Sequence, residues 1–370
     1  MTVRILAAAS PGEVRIAALR DDNLLDYAIW RPGAPDGVGD LYRGHVIARV
    51  PAMAGAFVAL NGDEGFLPDS EGAAAAHEGD VLTVRVTRAS QGGKGPRLTA
   101  KLAPTDAPVG SRQGLLKRGP GALLELAAHY PDATVLVDNT ALAARLKPAL
   151  GDRLCLAAEA FDEGIEAQVE SLTHPTVDLP SGARLSVHPT PALVAIDVDS
   201  GTAVAERRGK AASHLAVNRA VLPAVAQQIR LRNLSGAILV DFAGLPPRRR
   251  ASLGPALAAA LADDPLHPRL LGFTALGLAE IVRSRVHPPL HELLAGPHAA
   301  GLAALRHIAG DVAATPHRVP VLRASPLIIR ALQADAEALP DLARHAGRPL
   351  ITRSDPAFDA TEWTIEHDDA

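Results

Sequence analysis

Two short apolar segments each end in aspartate, and a helix-length stretch separates them. The first reads Ala192-Leu-Val-Ala-Ile-Asp197-Val-Asp199-Ser-Gly, the second Gly236-Ala-Ile-Leu-Val-Asp241-Phe. Two strands joined by one crossover helix form a βαβ unit, whose right-handed connection sets the strands parallel and side by side. The three carboxylates would then meet at the C-terminal edge of a sheet, where α/β folds place their sites. Asp197 and Asp199 are two residues apart, so in a strand they point to one side. Carboxylates that close repel each other unless a cation lies between them. Hard oxygen ligands on a rigid edge suit Mg²⁺ or Mn²⁺, ions that promote phosphodiester hydrolysis. The competing reading is that an aspartate at a strand end is most often a turn residue or a helix N-cap. Two strands of the same form, one with a second aspartate, raise the weight of the metal site.

The elements that must hold this edge can be read outward from it. Leu179-Pro-Ser-Gly-Ala-Arg184 predicts a hairpin turn into the strand before Asp197, and 216–234 predicts the crossover helix. Beyond Asp241 come Gly244-Leu-Pro-Pro-Arg248-Arg-Arg250 and then a helix over 251–262, with proline at its start. Arginines at a helix N-terminus oppose its dipole, so a bound anion there would help; Arg248 and Arg249 are candidate phosphate contacts, or a solvated helix start. A strand over 270–273 and a helix over 276–286 follow, the latter carrying Glu280, Arg283 and Arg285. Upstream, 3–31 predicts a meander of short strands, and 114–173 alternates helices and strands. Asp138 is another strand-end aspartate, read as a cap for the helix starting at Thr140. The tail over 302–370 predicts a small α+β unit with one helix over 326–346.

Residues 38–103 differ in texture: five short strand-like runs with glycine at the corners describe a small OB-type barrel. Phe57 and Phe66 are two of only six phenylalanines, and Arg43, Arg49, Lys94 and Arg97 lie near them in the pattern. They are either barrel core or a base-stacking platform beside a phosphate-binding rim. Gly92-Gly-Lys94-Gly-Pro-Arg97 lacks the Gly-Lys-Ser/Thr end of a nucleotide-binding P-loop and reads as a flexible basic turn.

Composition narrows the classes. The chain has 370 residues, 48% of them hydrophobic, which excludes a disordered chain and allows several small domains. Its net charge of −4 excludes a protein coated in basic charge, so nucleic-acid binding needs a local patch. The single cysteine, Cys155, excludes an internal disulfide and reads as a buried small hydrophobe. His287 and His291 are separated by Pro288 and Pro289, which break the helix that would pair them on zinc. The N-terminus has no signal-peptide pattern and no apolar run reaches membrane-spanning length, so a cytoplasmic protein is expected.

In this order the parts resemble bacterial ribonuclease E/G along nearly the whole chain. The resemblance is carried by Val38-Gly-Asp-Leu-Tyr-Arg43-Gly, Ala56-Phe57-Val, Gly65-Phe66-Leu-Pro, Lys94-Gly-Pro-Arg-Leu-Thr99, Leu179-Pro-Ser-Gly, and Ala195-Ile-Asp197-Val-Asp199-Ser-Gly-Thr. Ala226-Gln-Gln-Ile-Arg-Leu-Arg-Asn-Leu-Ser-Gly236, Leu239-Val-Asp241-Phe and Leu342-Ala-Arg-His-Ala-Gly-Arg-Pro continue it. It implies a multidomain α/β fold: an S1/OB-type barrel (38–103) inserted in an RNase H-like subdomain (1–37 and 113–180). A DNase I-like catalytic subdomain (181–295) and a small α+β C-terminal domain (302–370) follow. It further implies an endoribonuclease that cuts single-stranded RNA with Mg²⁺, leaving 5′-phosphate and 3′-hydroxyl ends. Asp197 and Asp241 would bind the ion with Asp199 as a third ligand, while Phe57, Phe66 and Lys94 would contact RNA.

The departures from the family are equally specific. Asp199 stands where the family has Asn, Gly244 where it has a second Asp, and Ala275 where an Arg is usual. The segment 293–301 lacks the two cysteines that link family subunits through zinc, so no zinc and no zinc-linked dimer is expected, although another oligomer would be compatible. The family's 5′-monophosphate-sensing block is replaced by a Pro/Gly linker over 101–112, so cleavage independent of the 5′ end is expected. The alternative is a catalytically weakened RNA-binding protein of the same fold; a third reading is a small-molecule phosphatase with an appended barrel.

Overall fold

A computed structural model of the chain describes residues 2–103, 112–179, 182–199, 201, 210–242, 244–315 and 318–368. The N-terminal meander forms β1 (Val3–Ser10), β2 (Glu13–Arg20) and β3 (Asn23–Trp30), turned at Gly12 and at Asp21-Asp22, where φ is positive. The chain then leaves this sheet and builds a barrel. Its strands are β4 (Leu41–Val50), β5 (Gly55–Leu60), β6 (Asp63–Pro68), β7 (Val81–Arg88) and β8 (Arg97–Thr99), with β9 (Gly114–Lys117) added beside β4. Pairing runs β4–β5–β6–β8–β7 and back to β4, a closed five-stranded barrel of OB type. Alternation fills it: Val46, Val58, Leu67, Val84, Val86 and Leu98 point inward and are buried.

After the barrel the first sheet resumes. Helix α1 (Ala122–His129) leads to β10 (Thr134–Val137), α2 (Thr140–Leu150) to β11 (Leu154–Leu156), and α3 (Glu163–Ser171) closes the unit. Strands β10 and β11 join parallel to β1, giving the order β11-β10-β1-β2-β3. Leu123, Leu142 and Leu146 cover one face of this sheet; Phe161, Ile165 and Val169 cover the other.

The second sheet is built from β12 (Thr176–Asp178), β13 (Arg184–Pro189), β14 (Val194–Asp199), β15 (Gly236–Asp241), β16 (Arg269–Phe273) and β17 (Ala279–Arg283), in the order β12-β13-β14-β15-β17-β16. Between β14 and β15 runs α4 (Lys210–Leu231); the four-residue α5 (Pro247–Arg250) and α6 (Gly254–Leu261) follow β15. Val221, Val225 and Ile229 of α4, with Leu257 and Leu261 of α6, pack on Ile196, Ile238, Val240 and Ile281 of the sheet. The C-terminal unit holds α7 (Leu290–Leu293), α8 (Gly296–Ala314), β18 (Val319–Ala324), α9 (Pro326–Ala334), α10 (Ala338–Ala346), β19 (Ile351–Ser354) and β20 (Trp363–Asp368). Its three strands order β19-β18-β20 against α8, α9 and α10.

Paired charges join the units. Arg230 of α4 grips Asp26 of β3 at 2.5 and 2.6 Å, and the Tyr130 hydroxyl donates to the same carboxylate at 2.6 Å. The His287 ring lies between Asp36 (2.6 Å) and Glu125 (3.0 Å), which together outweigh burial and raise its pKa to about 10.

Several local expectations are corrected. The segment 276–286 is not a helix but strand β17: Ala279, Ile281 and Arg283 are buried while Glu280 and Val282 are less so, a period of two. Gly277, at φ +88°, turns the chain back from β16. The helix expected over 326–346 is two helices, broken where Asp335 accepts from the Glu337 and Ala338 amides at 2.9 and 3.1 Å. Asn139, not Asp138, caps α2, its side chain accepting from Leu142 N at 2.9 Å. Cys155 is exposed, because β11 is an edge strand. Residues 104–111 of the expected linker, Pro180-Ser181 of the expected hairpin turn, Ser200 and Ala243 lie outside the described residues.

Candidate active site and nucleic-acid interface

Strands β14 and β15 are parallel, and their register sets Asp197 directly opposite Asp241. The crossover helix α4 fixes that register by burying Val225 and Ile229 against both strands. Along β14, Ile196 and Val198 are buried while Asp197 and Asp199 are exposed, so both aspartates leave the same face. Asp241, the last residue of β15, is half-buried. Burial, and then the nearby Asp241 and Asp199 charges, push the Asp197 carboxyl above its usual range; His188 and Arg250 oppose them. The edge therefore carries surplus negative charge.

Two features of this edge were not legible in the sequence. Arg250 turns inward from α5, pairs with the Asp241 carboxylate, and donates through Nε to Leu245 O at 2.7 Å. The Arg248–Arg250 run signals basic character, but only the helical turn reveals that Arg248 and Arg249 face solvent while Arg250 reaches the aspartate. The second feature is His214 of α4. Gly244 has φ +62°, and a Cβ there would fall 2.4 Å from the His214 ring, so an aspartate at this position would displace the imidazole. The His214 Nδ1 atom is buried with no hydrogen-bond partner among the described residues.

Asp199 is on the correct face but turns its Oδ1 to accept from Gly201 N at 3.0 Å. Among the described residues, no group of three or more His, Cys, Asp or Glu is placed to hold a metal ion. The site is thus a facing pair, Asp197 and Asp241, with Asp199 beside it. Glu280 and Arg283 are elsewhere: Arg283 forms a buried pair with Asp264, at 2.7 Å, and also donates to Asn233 and Leu234.

On the barrel, Phe57 of β5 and Phe66 of β6 are cross-strand partners. Their rings meet edge to face with centroids 5.6 Å apart. Both are half-buried and neither belongs to the cluster that fills the barrel. Arg97 is exposed and is the β8 partner of Phe66. Lys94 is exposed at a tight turn in which the Gln91 and Lys94 main chains bond to each other at 2.8 and 2.9 Å. Arg43 lies on β4 opposite Thr83 of β7, and Arg49 is held by Asp69 at 2.6 Å.

Fold and surface together define a multidomain α/β protein with an inserted OB-type barrel, an aromatic and basic strip on that barrel, and a carboxylate pair on a separate sheet. The model of the Ribonuclease E/G family matches residues 136–286, which contain the whole aspartate-bearing edge. The chain is similar to proteins of the ribonuclease E/G family both within and beyond that segment. It is 24% identical to ribonuclease G of Haemophilus influenzae over 400 residues, covering 79% of this chain and 81% of that protein. It is 33% identical to ribonuclease E of Nostoc over 159 residues, or 42% of this chain, and 35% identical to ribonuclease E of Escherichia coli over 131 residues, or 35% of it. Those stretches span only 23% and 12% of the two longer proteins. Among the described residues, no helix is long and apolar enough to cross a membrane.

Proposed function

We propose that the protein is an endoribonuclease that hydrolyses single-stranded RNA, in RNA processing or decay in the cytoplasm, with Mg²⁺ (or Mn²⁺) held by Asp197 and Asp241. The observation that carries this reading is the parallel register that faces those two carboxylates across one sheet edge, in a segment matched by the ribonuclease E/G family model. The sheet order β11-β10-β1-β2-β3 supports reading 1–37 and 113–180 as RNase H-like, and the aspartate-bearing sheet supports reading 181–295 as DNase I-like. Residues 38–103 are the proposed S1-type RNA-binding domain and 302–370 the small C-terminal domain.

Two carboxylates on a solvent-exposed edge suit an ion that keeps several waters and completes its shell with substrate phosphate oxygens. When bound there, the ion supplies an activated water and neutralises charge on the phosphorus oxygens. Asp197 and Asp241 hold the negative edge that selects a cation, and Arg250 pairs with Asp241 and offsets part of that charge. Asp199 adds charge beside the pair. Water adds to phosphorus, the bond to the 3′ oxygen breaks, and that oxygen takes a proton, leaving a 5′-phosphate and a 3′-hydroxyl. Phe57 and Phe66 stack bases; Lys94, Arg97 and Arg43 hold phosphates beside them, with Arg248 and Arg249 contacting the strand near the site.

A single assay tests this. A fluorescent single-stranded RNA with a 5′-hydroxyl or a 5′-monophosphate is incubated with the protein, with and without Mg²⁺, and Asp241→Asn runs beside the wild type. Internal cleavage that needs the metal, proceeds at similar rates on both ends and is lost in the variant is the expected result. Binding without cleavage in Mg²⁺, and again when Mn²⁺ replaces it, sinks the nuclease reading. It would support the second one, a weakened RNA-binding protein, which the Arg250 pair on Asp241 and the His214 ring beside Gly244 favour.

A further inference from the structure

The aromatic pair on the barrel is one end of a longer row. Phe57 faces Phe66 across β5 and β6, Phe66 faces Arg97 across β6 and β8, and Arg97 faces Arg88 across β8 and β7. A bulge between Val86 and Arg88 makes the last step. Without it Thr87 would oppose Arg97 and Arg88 would follow Val86 into the barrel; with it, Arg88 is aimed along the outer row. The row thus runs two rings and two guanidiniums over neighbouring strands, each about 4.8 Å from the next.

The row ends against the other domain. The Ala89 amide donates to Val286 O at 2.9 Å, docking the end of β7 on the segment after β17. Arg285 is on that segment, and burial together with the facing Arg97 and Arg285 charges pushes the Arg88 guanidinium below its usual range. Glu292 takes Arg285 in a two-bond pair at 2.7 and 2.9 Å, and no acid pairs with Arg88 or Arg97 among the described residues. The Nε atoms of both Arg88 and Arg285 are buried without a partner there. Three like charges with one counter-ion, and buried donors left open, are costly unless an anion completes them.

We propose that Arg88, Arg97 and Arg285 form a phosphate-binding subsite at the junction of barrel and aspartate-bearing domain, taking the backbone of the RNA strand whose bases stack on Phe57 and Phe66. The inference rests on the RNA-binding part of the function proposed above. It gives the strand a direction: from the aromatic pair, across β8 and β7, onto the domain that holds Asp197 and Asp241. The bulge supplies the guanidinium, and the docked main chain fixes its distance from Arg285.

The test is equilibrium binding of a fluorescent oligouridylate to the full chain over a range of salt, for wild type, Phe57→Ala, Arg88→Gln, Arg88→Lys and Glu292→Gln. Losing one phosphate contact on a single strand lowers the slope of log affinity against log salt by about 0.7. Arg88→Gln is expected to show that drop and about tenfold weaker binding, with Arg88→Lys recovering the slope. Glu292→Gln, which frees the Arg285 guanidinium, is expected to tighten binding, a result that a structural role for this pair would not give. Unchanged slope and affinity in Arg88→Gln, with Phe57→Ala still weakening binding, overturns the subsite and leaves the barrel reading intact. A wild type that binds no RNA overturns both.

Discussion

In the first sheet Asp138 leaves the end of β10 beside β1; in the second, Asp197 and Asp241 leave β14 and β15 beside each other. Both are parallel strand pairs with a carboxylate at the C-terminal edge. Strand β1 ends in Ala8-Ala9-Ser10, so Asp138 meets no second acid; its Oδ1 instead accepts from Ala9 N at 2.9 Å. Burial raises its pKa and the amides of Ala9, Ala160 and Asp138 pull it back, the pattern of a carboxylate enlisted to satisfy backbone. Asp197 and Asp241 face each other, and among the described residues it is the His188 and Arg250 charges, not main-chain amides, that offset theirs. What separates a structural aspartate from a candidate ligand here is the residue opposite it, not its place at a strand end.

The largest expected effect follows from that distinction. Asp197→Asn and Asp241→Asn should each lower RNA cleavage by ~100-fold or more, as loss of a metal ligand does, while RNA binding stays within about twofold. Asp138→Asn keeps an oxygen for Ala9 and should cleave like wild type. Single-turnover cleavage under excess enzyme reads all three, and a cleavage defect in Asp138→Asn equal to the others would erase the difference between the two edges.

Stability should divide the edges the other way. Asp138→Ala strands the Ala9 amide and should cost about 1–3 kcal/mol, seen as a lower urea midpoint with unchanged slope. Asp197→Ala removes a repelled charge from an exposed position, so its midpoint should match or exceed that of the wild type in metal-free buffer. Equal losses in the two variants would mean that Asp197, too, is held for the fold.

How much of this was legible in the sequence follows the same physics. The Asp197–Asp241 pairing could be read because apolar strands of matched length flank a helix, and that pattern dictates parallel neighbours. The barrel was legible from its spacing of short strands, but the sequence left Phe57 and Phe66 open between core and surface, and their half-burial is a fact of the folded barrel. Strand β17 was not, since Glu280, Arg283 and Arg285 also suit a helix. What decides is burial of the Arg283–Asp264 pair, 4% exposed on both sides, a tertiary fact. Asp138 was misread as a cap because its partner, Ala9, lies 129 residues away. Arg250, His214 and the bulge that aims Arg88 were invisible for the same reason: each depends on how a side chain or strand meets one distant in sequence.

Arg250 sets how strongly the second edge differs from the first. Its pair with Asp241, whose side chain is 48% exposed, is screened by solvent and worth little. Arg250→Gln should therefore tighten Mn²⁺ binding by no more than about fivefold, measured by titration of the metal-free protein. Weaker Mn²⁺ binding would instead show that the guanidinium positions the carboxylate for the ion and does not compete with it.

The smallest effect concerns Asp199, the carboxylate beside the pair. In the metal-free protein the folded-state pKa of Asp197 is raised by burial, Asp241 and Asp199, in that order. A raised aspartate pKa means that the folded state holds the proton more tightly than the unfolded chain. The ionised group therefore costs stability at neutral pH, and that cost is relieved as pH falls through the raised pKa and is absent below the ordinary carboxylate range. Asp199→Asn removes one like charge while leaving burial and Asp241 in place. The Asp197 pKa should move down but remain above the usual range, and stability at neutral pH should rise slightly. Carboxyl-carbon NMR titration of Asp197 in wild type and variant reads the shift directly. An unmoved pKa would place Asp199 outside the electrostatic reach of the pair. The edge would then consist of two carboxylates only, distinguished from Asp138 by a single facing residue.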